Sequence, residues 1–576
     1  MATYHTPLYR AAAEAVARLA GDGIAAEDLK VEAPPRPELG DLAVGCFAIA
    51  KARKQSPADV ARAIAQAFNS GTPGELLASA TAAGPFVNFR AHRAAAFHWV
   101  IDGALHGRLV PHTLGAGKTI CIDYGSPNIS KHLAYHHIRG TTIGHALAQT
   151  FRALGYRVVG INFLGDWGTT HGMLIAAWHK WGPIAPVDVT GLNALYVRFR
   201  DAMKTDPTLE QAGRLAFKQL EDGDPATRAL WQQFRDVSWA EFQSVYEILG
   251  IEYDEVRGES AYEPDMPRIL GELAGAGLTS ESDGALVVEL ADEKTPILLR
   301  TRDGTTLYAT RDVAAAEYRW DHFHFSRSLY VVDRGQALHF RQLFKLLAKM
   351  GHDWSARCEH VPYGLVRIGN KRAATRLGNV VMMRQVFDIA QELVRGRIAE
   401  NLPELLPDAV DAIARQVGIG AIVFANLAPQ RDKDVDFDLD NAVSIEGDSG
   451  PYLQYSHARC ASLGRRAGGA VTSLDGVELG ELTQDAEWAI ARRLLELPDV
   501  VVRSADAAEP HVICHYLLQL AADFSRWYTA GNGDAALRVL CDNAATRRAR
   551  LALTAAVQAT LRDGLAMLGI AAPDQM

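Results

Sequence analysis

Apolar residues recur at helical spacing in AAAEAVARLA (11–20), CFAIAKARKQ (46–55) and SPADVARAIAQAF (56–68), which predicts three amphipathic helices near the start of the chain. Ser56 stands at an N-cap position and Pro57 takes the first helical position of the third, as helix starts favour. Turn-rich VEAPPRPELGDLAV (31–44) and strand-like GPFVNFR (84–90) complete an α+β module over 1–110, and GALHGRLVPHTLGAGK (103–118) reads as a linker.

From Thr119 the pattern becomes apolar strand, loop, helix, strand. TICIDYG, a helix around His145 to Leu154, and RVVGINFLGDWG predict a βαβ unit of a parallel sheet. ALVVEL, TPILLRT, SLYVVD and HVPYGLV have the same strand character. An acidic helical stretch interrupts them, so a Rossmann-type α/β domain over 111–436 is expected to carry a helical insertion at about 187–290. After Phe437 only helical spacing remains, as in PHVICHYLLQLAADFSRWYTA, which makes 437–576 an all-α helix bundle.

The 576 residues are 48% hydrophobic and 22% charged, enough for several globular cores. A net charge of -9 excludes a generic nucleic-acid binder, although local basic surfaces can still hold RNA. Six scattered cysteines without a CxxC pair predict reduced thiols, no structural zinc and no metal site. The N-terminus lacks a basic-then-apolar leader and no stretch approaches about 18 uninterrupted apolar residues. A soluble, cytoplasmic protein without a membrane partner is therefore expected.

Open parallel sheets bind ligands beyond the carboxyl ends of their strands. The loops there hold Asp123, Ser126, Asn128, Lys131, Asp166, Trp167, Asp333, Gln336 and His339. Tyr308 and Asp312, four apart, share one helix face. Converging carboxylates, amides and a phenol suit a many-donor cation such as a guanidinium. From spacing alone, the same residues read more readily as caps and surface groups.

The order of PELGDLAVGCFAIAK, SPNISK, INFLGDWGTTHGMLI, LYATRDVAAAEYR, VVDRGQALHFRQLF, TRLGNVV and VSIEGDSGPYLQYSHARC resembles class I arginyl-tRNA synthetases over essentially the whole chain. The resemblance implies a Rossmann-type catalytic domain, an N-terminal domain that contacts the tRNA elbow, and a C-terminal anticodon-binding domain. It also implies an arginine pocket of Asp123, Ser126, Asn128, Tyr308, Asp312 and Gln336.

The family's two ATP signatures are altered. Its HIGH-type quartet, His-x-Gly-His, aligns with Ala134-Tyr135-His136-His137, and its KMSKS-like segment with Arg372-Ala373-Ala374-Thr375-Arg376. An imidazole at the glycine position is expected to fill the adenine seat. Lys131 matches a lysine that compensates in the family for a relaxed second signature, and His339 is expected on the ATP side. On the RNA side the resemblance points to Tyr455, His457 and Arg459, with Tyr452 and Gln454 on the same helix. Arg465, Arg466, Arg547, Arg548 and Arg550 are candidate phosphate contacts or simply a solvated face.

Three functions follow. An aminoacyl-tRNA-dependent transferase would form an amide on a guanidine-bearing acceptor, with His136, His137 and Lys131 as catalytic groups and no cofactor. An ordinary arginine–tRNA ligase would use ATP with magnesium, and the altered quartet would cost it about three to four orders of magnitude in rate. A non-catalytic regulator would bind only arginine and tRNA. What is kept and what is lost favours the transferase, with tRNA and arginine or another guanidino compound as partners and a monomeric state as in the family.

Overall fold

The computed structural model describes residues 4–21, 23–71, 74–300, 302, 308–368, 381–401 and 403–576. They form two compact units. One holds residues up to 112 together with 445–567 and 571–576; the other holds 113–444 and 568–570.

In the first unit β1 (Val31–Glu32), β2 (Leu42–Gly45), β3 (Leu77–Ala83) and β4 (Phe86–Ala91) form an antiparallel sheet of order β1-β2-β4-β3. Helices Pro7–Ala20 and Pro57–Ser70 bury Val16, Ile64 and Phe68 beside it. The two ends of the chain, expected as separate modules over 1–110 and 437–576, fold here as one body. The Thr6 hydroxyl donates to the Leu495 carbonyl at 2.8 Å, Trp488 Nε1 donates to Asp41 Oδ1 at 2.7 Å, and Trp488 meets Phe97 edge-on. Burying the Trp488 ring beside apolar Phe97 holds the two segments together.

The second unit contains β5 (Thr119–Asp123), β6 (Arg157–Asn162), β7 (Glu255–Val256), β8 (Ser280–Ser282), β9 (Ala285–Val288), β10 (Ile297–Arg300), β11 (Arg327–Asp333), β12 (Cys358–Tyr363), β13 (Val366–Ile368) and β14 (Val435–Phe437). A parallel five-stranded sheet runs in the order β12-β11-β5-β6-β7. Its central strands are buried almost continuously, as helices on both faces require. ALVVEL and TPILLRT do form strands, β9 and β10, but in a separate antiparallel ribbon with β8. Strand β10 alternates between buried and exposed residues, the signature of a sheet covered on one face.

Three helices, Val189–Met203, Thr208–Glu221 and Pro225–Ile248, build the insertion. Its helical character ends earlier than the expected 290. Gly250 turns the chain at φ 67 and β7 rejoins the parallel sheet, followed by a 3-10 stretch, one helix and the ribbon. Helix Pro407–Leu427 is the one described helix long and apolar enough to cross a membrane. It is mostly buried, against helices Met383–Asn401 and Ile138–Ala153.

Candidate active site

The carboxyl ends of β5, β6 and β11 open onto a cavity of about 400 Å³. Helix Tyr308–Phe323 closes one side with Tyr308, Asp312, Ala315 and Arg319, a spacing that puts all four on one face. Asp123, Ser126 and Asn128 come from the loop after β5; Gln336 and His339 follow β11. All six residues expected to hold a guanidino ligand therefore line one cavity, although they do not all present a free group.

Asp123 is already engaged. Its Oδ2 accepts from Arg319 Nη2 at 2.7 Å and its Oδ1 accepts from the Ser126 hydroxyl at 2.8 Å. Arg319 is fully buried between the rings of Tyr330, at 4.9 Å, and Phe163, at 5.5 Å. Asp312 pairs with His339 Nε2 at 2.7 Å. Burial alone would lower the His339 pKa, but the hydrogen bond and charge of Asp312 outweigh it and raise it above the ordinary value. His339, expected on the ATP side, lines this cavity with Asp312 rather than the one that holds His136 and His137.

The same cavity holds an acid that no sequence signal marks. Glu259, in the 3-10 stretch after β7, accepts from Arg311 Nη1 at 2.6 Å and is 7% exposed. Burial pushes its carboxyl up to about 7, against the pull of Arg311. Asp166 and Trp167, expected as pocket lining, are buried instead. The Asp166 carboxylate accepts from the Ser260 N–H at 2.8 Å, the Ser260 hydroxyl at 2.9 Å and Arg235 Nε at 3.1 Å. It fixes the turn below the site.

Asn128 also lines a second cavity of about 330 Å³, with Lys131, Ala134, His136, His137, Asn193 and Met382. Asn128 is held by a parallel bridge to Gly165. A Cβ at Gly165 would stand 2.1 Å from Asn128 Oδ1, so only glycine allows this approach. On the far side the Tyr135 N–H donates to the Val381 carbonyl at 2.8 Å, and the Met383 N–H to the Leu133 carbonyl at 2.9 Å. Tyr135 is buried against Phe437 and accepts from Asn426 Nδ2 at 3.2 Å.

His136 is exposed, its ring lies 4.0 Å from that of His137, and both rings line this cavity. Burial, then the charges of His136 and Lys131, push the His137 pKa down to about 4. Its Nδ1 is 3.0 Å from the Ala134 carbonyl. A carbonyl can only accept, so Nδ1 carries the proton and Nε2 keeps a lone pair. Arg372 and Arg376 lie outside the described residues.

In the first unit, Tyr455 and Arg459 share helix Gly450–Arg466. Arg459 Nη2 donates to the Tyr455 hydroxyl at 2.9 Å, and its guanidinium lies 4.6 Å from the Tyr455 ring and 4.8 Å from that of Tyr528. His457, expected to meet RNA, is buried on the opposite side with Nδ1 3.0 Å from the Pro573 carbonyl. Arg550, a candidate phosphate contact, is likewise internal and donates to Glu487 Oε1 at 2.7 Å. Apolar helix spacing does not distinguish an arginine facing solvent from one paired across a bundle.

Residues 102–439 match the model of the "tRNA synthetases class I (R), catalytic domain". The chain belongs to the arginyl-tRNA synthetase family. Residues 8–91 match the "Arginyl tRNA synthetase N terminal domain" and residues 453–576 the "DALR anticodon binding domain". The chain is 40% identical to an arginine–tRNA ligase of Exiguobacterium sp. over 571 residues, 98% of this chain and 99% of that one. It is 39% identical to arginine–tRNA ligase 1 of Bacillus cereus over 556 residues, 95% of each. The Thermus thermophilus arginyl-tRNA synthetase structure is similar at a TM-score of 0.83 and 25% identity, covering 99% of this chain and 100% of that one. In this synthetase family member, both cavities fall within the matched catalytic residues.

Proposed function

We propose that the protein is an arginine–tRNA ligase working with an altered nucleotide loop. The observation that carries this reading is the adjacency of the two cavities: an acid-lined one and one with a lysine and three histidines, joined at Asn128. Near full-length similarity to arginine–tRNA ligases supports it, and it displaces the transferase as the favoured reading.

In this reading Glu259, Tyr308 and Asp312 hold the guanidinium, and Asn128 and Gln336 orient the amino-acid end toward the second cavity. An oxygen of the arginine carboxylate attacks the α-phosphorus of ATP, and pyrophosphate leaves. The terminal ribose hydroxyl of tRNA then attacks the adenylate carbonyl, and AMP leaves. Lys131 offsets phosphate charge, while magnesium entering with ATP would spread the rest.

One observation favours the transferase as a second reading. Ala134 and His136 replace a histidine and a glycine, and His137 Nε2 keeps a lone pair that can take a proton. There the amine of a guanidine-bearing acceptor attacks the ester of an aminoacyl-tRNA, the ester C–O bond breaks, and the tRNA hydroxyl leaves with a proton. Arginine-dependent ATP–pyrophosphate exchange, with and without tRNA-Arg, separates the two. Exchange is the expected result. No exchange, with aminoacyl transfer from charged tRNA to an amine, would replace the first reading by the second. Loss of both with tRNA still bound would leave a regulator.

A further inference from the structure

The helix Val189–Met203 begins at Asp188, whose carboxylate accepts from the Gly191 N–H at 2.7 Å. Thr190, Asn193 and Tyr196 follow at steps of three and share one face. That face lies against the nucleotide loop. Thr190 Oγ1 is 3.2 Å from His132 Nε2, Asn193 lines the second cavity beside Lys131, His136 and His137, and the Lys131 ammonium stands 5.6 Å from the Tyr196 ring centroid. His132 is tied on its other nitrogen to Glu241 Oε1 at 2.7 Å, on helix Pro225–Ile248. Two insertion helices thus grip the loop from its outer side.

The chemistry of this wall is selective. The cavity lining contains a lysine, two amides and three imidazoles but no carboxylate among the described residues. A cation over a tyrosine ring in an exposed setting is held weakly enough to turn toward an arriving phosphate. We propose that Asn193 and Tyr196 are the insertion's half of an adenosine-nucleotide site. Asn193 reads the nucleotide through its side-chain amide, and Tyr196 acts as a positioning residue that stores Lys131 for the phosphates. This rests on the ligase reading for its occupant, which is either free ATP or the 3′-terminal adenosine of tRNA.

Equilibrium binding to the full chain, without arginine so that nothing turns over, tests it with two probes: ATP and the trinucleotide CCA. Asn193→Ala is expected to weaken ATP binding about tenfold, one side-chain hydrogen bond, with arginine binding unchanged. Tyr196→Leu is expected to weaken ATP binding and reduce its salt dependence, and Tyr196→Phe, which keeps the ring, to restore both. If wild type binds CCA but not ATP, and both variants weaken that binding, the site stands with the tRNA end as occupant, and the exchange assay decides the ligase reading separately. Wild type binding neither probe overturns the proposal, as do Asn193→Ala and Tyr196→Leu proteins that bind both as wild type does. A single unaffected variant removes that residue from it.

Discussion

Arg319 answers Asp123 across 2.7 Å, with 2% and 7% of their side chains exposed. The protein's own guanidinium therefore occupies a carboxylate that otherwise invites a substrate guanidinium. Glu259 and Asp312 line the same cavity with Tyr308 and are paired in turn, with Arg311 at 2.6 Å and with His339 at 2.7 Å. Removing one member of such a pair strands a buried charge at a cost of about 3–5 kcal/mol. Arg319→Met is expected to lower the urea midpoint sharply, and the double variant Asp123→Asn/Arg319→Met to recover much of the loss. Strictly additive effects of the two substitutions would refute the coupling.

Arginine affinity is expected to rise with pH. Burial raises Glu259 from its ordinary 4.5 to about 7, so the folded, empty site retains a proton that the unfolded chain gives up. Stability of the empty protein therefore falls as pH climbs from about 4.5 to about 7. A guanidinium prefers the ionised carboxylate and is helped by the same climb. His339, raised by Asp312, acts in the same sense, because its deprotonation releases Asp312 from a competing cation. Calorimetric titration of arginine between about pH 6 and about pH 8 should show tighter binding at the upper end. Glu259→Gln should flatten the trend and weaken binding at the upper end by about tenfold to a hundredfold. A flat wild-type profile would remove Glu259 and His339 from guanidinium recognition.

The sequence located the pocket better than it located the partners. Residues after β5 and β11 and the i,i+4 pair Tyr308–Asp312 were legible because strand ends and helix faces follow from period alone. Arg319 sits on the face of Tyr308 and Asp312, and a reading extended by two more turns would have found it. Glu259 opens a 3-10 stretch without apolar period, shortly after a two-residue strand, so only the fold brings it in. His457 and Arg550 carry RNA-suited side chains on helices whose buried faces depend on the C-terminal segment and on Glu487. Those pairings span more than sixty residues and leave no local mark. Asn193 was hidden for the same reason, inside an insertion whose only visible feature was helical spacing.

His137 is held neutral by a pKa of about 4, so it should leave no inflection in the pH–rate profile above about pH 5.5. His137→Ala is expected to lower turnover by about a hundredfold without shifting that profile. His136→Gly removes a ring from the mouth of the second cavity. It is expected to raise ATP–pyrophosphate exchange about tenfold, equivalent to about 1.4 kcal/mol of relieved crowding. A fall in exchange instead would mean that the His136 ring takes part in the reaction.

Arg459 lies over the rings of both Tyr455 and Tyr528, while Tyr455 remains partly exposed. A guanidinium fixed in this way presents a planar donor edge beside a ring on which an unstacked base can lie, the combination that single-stranded RNA loops use. A lysine has the charge but neither the plane nor the fork, so it cannot take the same position. Arg459→Gln is expected to raise the KM for tRNA about tenfold and to reduce the slope of binding against salt by about one contact, leaving the KM for arginine unchanged. Arg459→Lys should restore the salt slope but not the affinity. His457→Ala should leave the tRNA KM alone and reduce only stability, because its ring is spent on the Pro573 carbonyl. If Arg459→Gln left both KM and salt slope unchanged, the three side chains would be packing between helices Gly450–Arg466 and His511–Gly533 and nothing more.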